Sequence, residues 1–272
     1  MKFAINQATT MKADFATDVK AYARAGFDSM EIWLPKLKDY LKMTTLADVK
    51  KLLTEQKIKP VGACYQNNLM FSQGELRQQA TKEFMEKLEI CNELEIPVLV
   101  VPGDNPPVPV TENHYDEAAE NILKVADDAR RYGVKLALEF IAKAKFLGCL
   151  STTIKLVDKI NHKNVGILFD TFHFFSGISK MEDIDKIKKG NSIFMVHFND
   201  VADKPGEILT DRDRVLPGEG IIPLDTIIKK LQKINYCGYY SLELFNEKLW
   251  DEDPYSVAKK CFESLEKFWR KP

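Results

Sequence analysis

The sequence is short of the features that assign a protein quickly, and each shortage closes a possibility. Cysteine is sparse, with Cys64, Cys91, Cys149, Cys237 and Cys261 spread over 272 residues and no CxxC pair. An odd number at wide spacing reads as buried reduced thiols, and argues against a disulfide framework or a zinc–sulfur site. The charges nearly cancel, to a formal net −1, which leaves no electrostatic footprint for nucleic acid or an anionic membrane. No apolar run approaches the roughly 20 residues of a membrane span. The opening MKFAINQ lacks the basic and apolar regions of a signal peptide, so a cytoplasmic location is the expectation. No GxGxxG or GxxxxGK(S/T) opens a helix after an early strand, which weighs against an open nucleotide-binding sheet.

What the chain does have is alternation. Short β-rich runs fall at 2–6, 29–33, 59–65, 97–102, 134–140, 165–170, 193–198 and 239–244. They are rich in Val, Ile, Phe and Tyr without a clean polar face, as expected of strands covered on both sides. Segments of helical period lie between and after them, at 17–26, 45–56, 75–95, 112–133, 151–162, 181–190, 223–235 and 253–271. Thr45 reads as a helix cap and Gly26 as a helix stop. Strand–helix alternation implies parallel strands joined by right-handed crossovers. Eight such units in one chain of this length predict an α/β fold, a closed (β/α)8 TIM barrel spanning residues 1–272 as a single domain. An open doubly wound sheet is the runner-up.

In such barrels the chemistry sits where strands end and βα loops begin. Four successive strands each deliver one ionisable group there: Glu139 in ALEF, Asp170 in LFD, His197 in MVHF and Glu243 in SLEL. Three carboxylates crowded into one pocket would repel and partly protonate, a conflict that a divalent cation removes. An oxygen-rich set with one imidazole and no thiolate suits Mn²⁺, Co²⁺ or Mg²⁺, with Zn²⁺ less favoured. Four protein ligands leave about two open positions on an octahedral ion, room for a hydroxy-ketone to chelate. The ion would polarise the carbonyl and stabilise an enediolate, while Glu139 or Glu243, on either side of the Asp170–His197 pair, carries a proton.

Around these groups, Trp33, Tyr65, Phe172, Phe174 and Trp250 fall near strand ends, where rings could stack on a carbon ring. In the loop TDRDRVLPGEG, one of Arg212 and Arg214 could hold a substrate oxygen, the other pairing with Asp211 or Asp213 at the surface. Glu31 and Gln7, at the ends of strands two and one, are weaker pocket candidates. His173 follows Asp170 in GILFDTFHFF, in a loop, either facing substrate or bracing Asp170. His114 and His162 read as helix-end residues.

The succession ALEF, FDTFH, VHFND, DRDRVLPGEG and SLELF resembles the xylose-isomerase-like sugar isomerase/epimerase superfamily, and within it the inosose isomerases of inositol catabolism. By that resemblance Glu139, Asp170, His197 and Glu243 match the metal ligands, and Glu139 and Glu243 the proton-moving pair of related ketose 3-epimerases. His173 and Arg214 match substrate-binding residues, Asp200 an acid common in the inosose-isomerase branch, and Trp33 completes the expected substrate contacts. The implied activity is a metal-dependent isomerase or epimerase of a keto-polyol or ketose, with a small sugar or cyclic polyol as its partner. A homo-oligomer is allowed. One departure is Lys145, where the ketose epimerases usually carry a second glutamate; its loss argues against free ketohexoses and leaves an inosose, another keto-polyol or a 3-keto-glycoside. The rival within enzymes is a dehydratase or lyase on an inosose or 3-keto sugar at the same metal. Endonuclease IV shares the fold, but its three zinc ions demand more histidines than the four present here. A barrel kept only for binding is the remaining alternative.

Overall fold

The computed structural model describes residues 1–106, 109–188 and 190–269. Eight parallel strands close into a barrel: β1 Lys2–Asn6, β2 Ser29–Trp33, β3 Lys59–Cys64, β4 Val98–Pro102, β5 Lys135–Glu139, β6 Val165–Asp170, β7 Ile193–Phe198 and β10 Tyr239–Leu242. Their order around it is β1-β10-β7-β6-β5-β4-β3-β2. Between β7 and β10 the chain inserts β8 Asp200–Val201 and β9 Arg214–Val215, which pair antiparallel as a separate ribbon.

Side chains on a strand alternate between faces, and here the alternation divides two cores. Ile5, Met30, Ile32, Leu99, Leu136, Leu138, Ile167, Phe169, Val196, Phe198, Tyr240 and Leu242 belong to the large apolar cluster shared with the helices. Their neighbours Ala4, Val61, Val98, Val100, Ala137, Leu168 and Met195 form a second, smaller cluster, the plug inside the barrel. One step further along the inward-facing rows stand Asn6, Glu31, Glu139, Asp170 and His197, with Ser241 on the last strand and Glu243 just past its end. The pleat that buries Ala137 and Leu168 therefore also turns Glu139 and Asp170 inward. Register completes the arrangement: Asp170 pairs with His197, Ser241 with His197, and Asn6 with Glu31 on adjacent strands.

The helices form where caps and apolar periodicity allow. Asp14 accepts the Thr17 N–H to start Phe15–Ala25, which Gly26 ends at a φ of 107°. Thr45 and Asp48 form a reciprocal capping box for Leu46–Gln56. Strict alternation of eight and eight is embellished by short helices at Leu34–Tyr40, Thr171–Ser176 and Glu247–Trp250. The helix expected over 181–190 is a single turn, Met181–Ile184. One turn already buries Ile184, Ile187 follows it into the core, and Asp183 caps the turn by accepting the Lys180 N–H. Lys189 of that segment, and residues 270–271 of the last helix, lie outside the described residues; that helix runs Pro254–Trp269. No described helix is long and apolar enough to cross a membrane.

Candidate active site

At the C-terminal end of the barrel, one ligand atom from each of Glu139, Asp170, His197 and Glu243 lies within 4.8 Å of all the others. All four side chains are buried. His197 Nδ1 is the centre of the cluster, 3.2 Å from Glu139 Oε1, 3.1 Å from Glu243 Oε2 and 3.6 Å from Asp170 Oδ2. Three acidic oxygens and one imidazole nitrogen converging from four strands are a donor set that fits one divalent cation.

A guanidinium is built into the site. Arg214, at the start of β9, is 1% exposed, and its Nη1 donates to Asp170 Oδ2 and to Glu243 Oε2, each at 2.8 Å. Its Nη2 donates to Asp211 Oδ1 at 2.7 Å. The guanidinium lies 4.7 Å from the Phe172 ring and 5.3 Å from the Phe245 ring, so aromatic faces desolvate it while carboxylates hold its charge. Burial works against an ionised Asp170, yet Arg214, His173 and His197 outweigh it and hold its carboxyl well below the usual range. Burial wins at Glu243, whose carboxyl is raised despite His197 and Arg214. Burial also disfavours a charged His197, but Glu243 and Glu31 carry it well above the ordinary imidazole value.

Above this floor is a cavity of about 260 Å³. Trp33, Tyr65, Pro102, Ile141 and Phe245 wall it, and Glu139, Glu243, His173, Arg214 and Asp211 supply its polar lining. Trp33 meets Tyr65 and Phe245 edge to face, at 5.2 and 5.8 Å between centroids. Its backbone N–H donates to Gln7 Oε1 at 3.0 Å, so Gln7 serves the pocket wall from behind. A larger open groove of about 720 Å³ runs alongside and shares Tyr65 and Pro102 with the pocket.

Several sequence expectations need correction. His173 is not in a loop: Asp170 Oδ1 accepts the N–H groups of Phe172 and His173, at 2.7 and 3.1 Å, and starts the helix Thr171–Ser176. The imidazole reaches the pocket, with Nε2 3.3 Å from Arg214 Nη2, so its backbone braces Asp170 while its side chain faces the cavity. Asp200, expected to touch substrate, lies elsewhere. Its Oδ1 accepts the N–H of Val201 and Ile222 at 2.9 Å, and its Oδ2 those of Gly218 and Gly220 at 3.0 Å. It clamps the loop that follows Arg214 and β9. Arg212 pairs with Glu247 at 3.0 Å, not with Asp211 or Asp213; Asp211 belongs to Arg214. Phe174 packs on Phe169 in the core, and Trp250 donates from Nε1 to the Ala8 carbonyl, so neither lines the cavity. Lys145 is exposed and does not line it either. His114 caps its helix, its Nδ1 accepting the Thr111 N–H at 2.8 Å.

Three residues at the site were not singled out. Asn6 donates from Nδ2 to Glu243 Oε1 at 3.1 Å. Cys64 and Ser241 both donate to Glu31, the former to Oε1 at 3.0 Å and the latter to Oε2 at 2.6 Å. The strand-end rule that found Asp170 also points at Asn6, one residue before Gln7.

A closed eight-stranded barrel with an acidic or imidazole side chain at four successive strand ends defines a class. Residues 19–267 match the xylose isomerase-like TIM barrel family, and the chain belongs to it. More particularly, it is 32% identical to the inosose isomerase of Bacillus subtilis (strain 168), over 96% of each chain. It is 27% identical to the D-psicose 3-epimerase of Enterocloster bolteae, over 90% of this chain and 82% of the other. Among solved structures, the IolI protein with a bound zinc atom superposes with a TM-score of 0.92 at 27% identity, covering 98% of this chain and 97% of that one.

Proposed function

We propose that this protein is a divalent-metal-dependent isomerase or epimerase that moves a proton beside the carbonyl of a keto-polyol or ketose, an inosose being the favoured substrate. The observation that carries this reading is the convergence of Glu139, Asp170, His197 and Glu243 on one point beneath a small, apolar-walled cavity. Those four side chains would hold the ion. When bound, a divalent cation supplies Lewis-acid polarisation of a substrate carbonyl. The hardness of the donors favours Mn²⁺, Co²⁺ or Mg²⁺, and the zinc atom of the IolI structure puts Zn²⁺ beside them.

Glu139 and Glu243 line the cavity from opposite sides of the Asp170–His197 pair. A proton taken from one carbon by one of them leaves an enediolate, which is reprotonated at the neighbouring carbon or from the other face. Burial raises the Glu243 carboxyl, which suits a group that must accept and return a proton near neutral pH. Trp33, Tyr65, Ile141 and Phe245 lie against the carbon face of a ring and exclude water, while His173 and Asp211 meet hydroxyl groups at the mouth. The inosose isomerase and the psicose epimerase among the relatives support this class of reaction. With Lys145 exposed and away from the cavity, no second glutamate stands where the ketose epimerases place one, which favours a cyclic keto-polyol over a free ketohexose. Five free thiols accord with a reducing, cytoplasmic setting.

The test is turnover of a panel of inososes and ketoses in deuterated water with each of Mn²⁺, Co²⁺, Mg²⁺ and Zn²⁺. Deuterium incorporated without loss of water supports the isomerase. Loss of water assigns the dehydratase instead, and no turnover of any substrate with any ion rejects both.

A further inference from the structure

We propose that Glu31, in the middle of β2 and on the far side of the ring from the other carboxylates, is the positioning residue of this site. Its carboxylate holds a hydrogen on His197 Nε2, so that Nδ1, which faces Glu139, Asp170 and Glu243, is the nitrogen that would give its lone pair to an ion. The inference rests on reading those four side chains as a metal site.

The geometry is closed on every side. Glu31 Oε1 stands 3.1 Å from His197 Nε2, and an ionised carboxylate can only accept, so Nε2 carries the hydrogen. The same Oε1 accepts the Cys64 thiol, and Oε2 accepts the Ser241 hydroxyl. Three donors pin both oxygens, so the carboxylate cannot swing away from the imidazole. Strand register builds this in, because Ser241 is the paired neighbour of His197. Asn6, the paired neighbour of Glu31, reaches the opposite way to Glu243.

Glu31 is fully buried, and no lysine or arginine among the described residues pairs with it; its ionic partner is His197. Burial of a carboxylate without a strong cation is costly, and packing or a neutral hydrogen bond would be served as well by glutamine. What glutamine lacks is the charge, which makes the imidazole a stronger donor toward an ion at Nδ1. Glu31, Cys64 and His197 also lie close enough to offer three atoms to a cation of their own. That use would require both Nε2 and the Cys64 thiol to give up the hydrogens they direct at Glu31.

The experiment is Zn²⁺ and Mn²⁺ affinity of the metal-free protein, by competition with a chelator, for wild type, Glu31→Gln and Glu31→Ala. Wild type binds one ion; Glu31→Gln weakens binding about tenfold and Glu31→Ala up to about a hundredfold. Nitrogen-15 spectra of the zinc-loaded wild type show a metal at Nδ1 and a hydrogen-bonded proton at Nε2, whose downfield shift shrinks in Glu31→Gln. A folded Glu31→Gln binding both ions within threefold of wild type, with its Nε2–H resonance unmoved, overturns the positioning role, and this arm stands even if Glu31→Ala does not fold. A wild type that binds neither ion overturns the metal site itself, and the inference with it.

Discussion

Arg214 donates from Nη1 to Glu243 Oε2 over 2.8 Å, with both side chains almost wholly buried. The same nitrogen serves Asp170. A residue of the inserted ribbon thus supplies positive charge to two of the four proposed ligands.

Arg214→Met leaves those two carboxylates facing each other without that cation. Removing one partner of a buried pair costs about 3–5 kcal/mol, and the metal-free variant should unfold earlier in urea by that amount. Saturating Zn²⁺ or Mn²⁺ should restore a good part of it, since binding to the folded state at 100 times Kd adds about 2.7 kcal/mol. A midpoint that metal does not move would show that these carboxylates hold no ion.

Glu139→Gln and Glu243→Gln should each lower kcat by about 10²-fold or more, the usual scale of general base catalysis. Circular dichroism should match wild type, because Gln preserves shape. Near-normal turnover in both variants would remove them from proton transfer.

Behind the pocket wall, Asp18 accepts Gln7 Nε2, Thr10 Oγ1 and Lys36 Nζ at 2.9, 2.6 and 2.7 Å. Burial still lifts its carboxyl from 3.8 to about 6, over the opposing pull of Lys36, Thr10 and Gln7. A raised carboxyl binds its proton more tightly in the folded chain. Its stabilising contribution is full below about pH 4 and is lost as the pH climbs through about 6. Asp18→Asn removes that slope. The stability of wild type minus that of the variant should fall by on the order of 3 kcal/mol between pH 4 and 7 in urea titrations. A difference that stays level or rises would refute it.

Asp200→Ala strips four backbone N–H groups of a charged acceptor, where single bonds of this kind contribute about 1.5–3 kcal/mol. The melting temperature should drop, and limited proteolysis should cut first within 216–222, the segment whose N–H groups Asp200 holds. Unchanged melting and an unchanged cleavage pattern would reject the clamp.

The barrel and its four ligand candidates were legible because they follow from local pattern. Alternation named the strands, and Glu139, Asp170, His197 and Glu243 sit at or beside the ends of four strands that are adjacent in the barrel as in the chain. Glu31 was read as a strand end but lies in the middle of β2, and closure of the barrel is what carries β2 across to β7, a contact that no local pattern reports. Asp170 was doubly used, as candidate ligand and as helix cap, so DTFH looked like a loop when its aspartate was starting a helix. Asp200 and Arg214 lie in one irregular segment, where only the folded ribbon decides which acid turns to backbone and which cation turns to the site.

That segment also limits how the scaffold can be re-engineered. An added Cβ at Gly220 would collide with the Val201 carbonyl and the Asp200 carboxylate, so Asp200, Gly220 and Arg214 are transferable only together. A loop graft from another barrel that brings new recognition residues but omits this trio would leave a well-formed ring of strands with its arginine out of place.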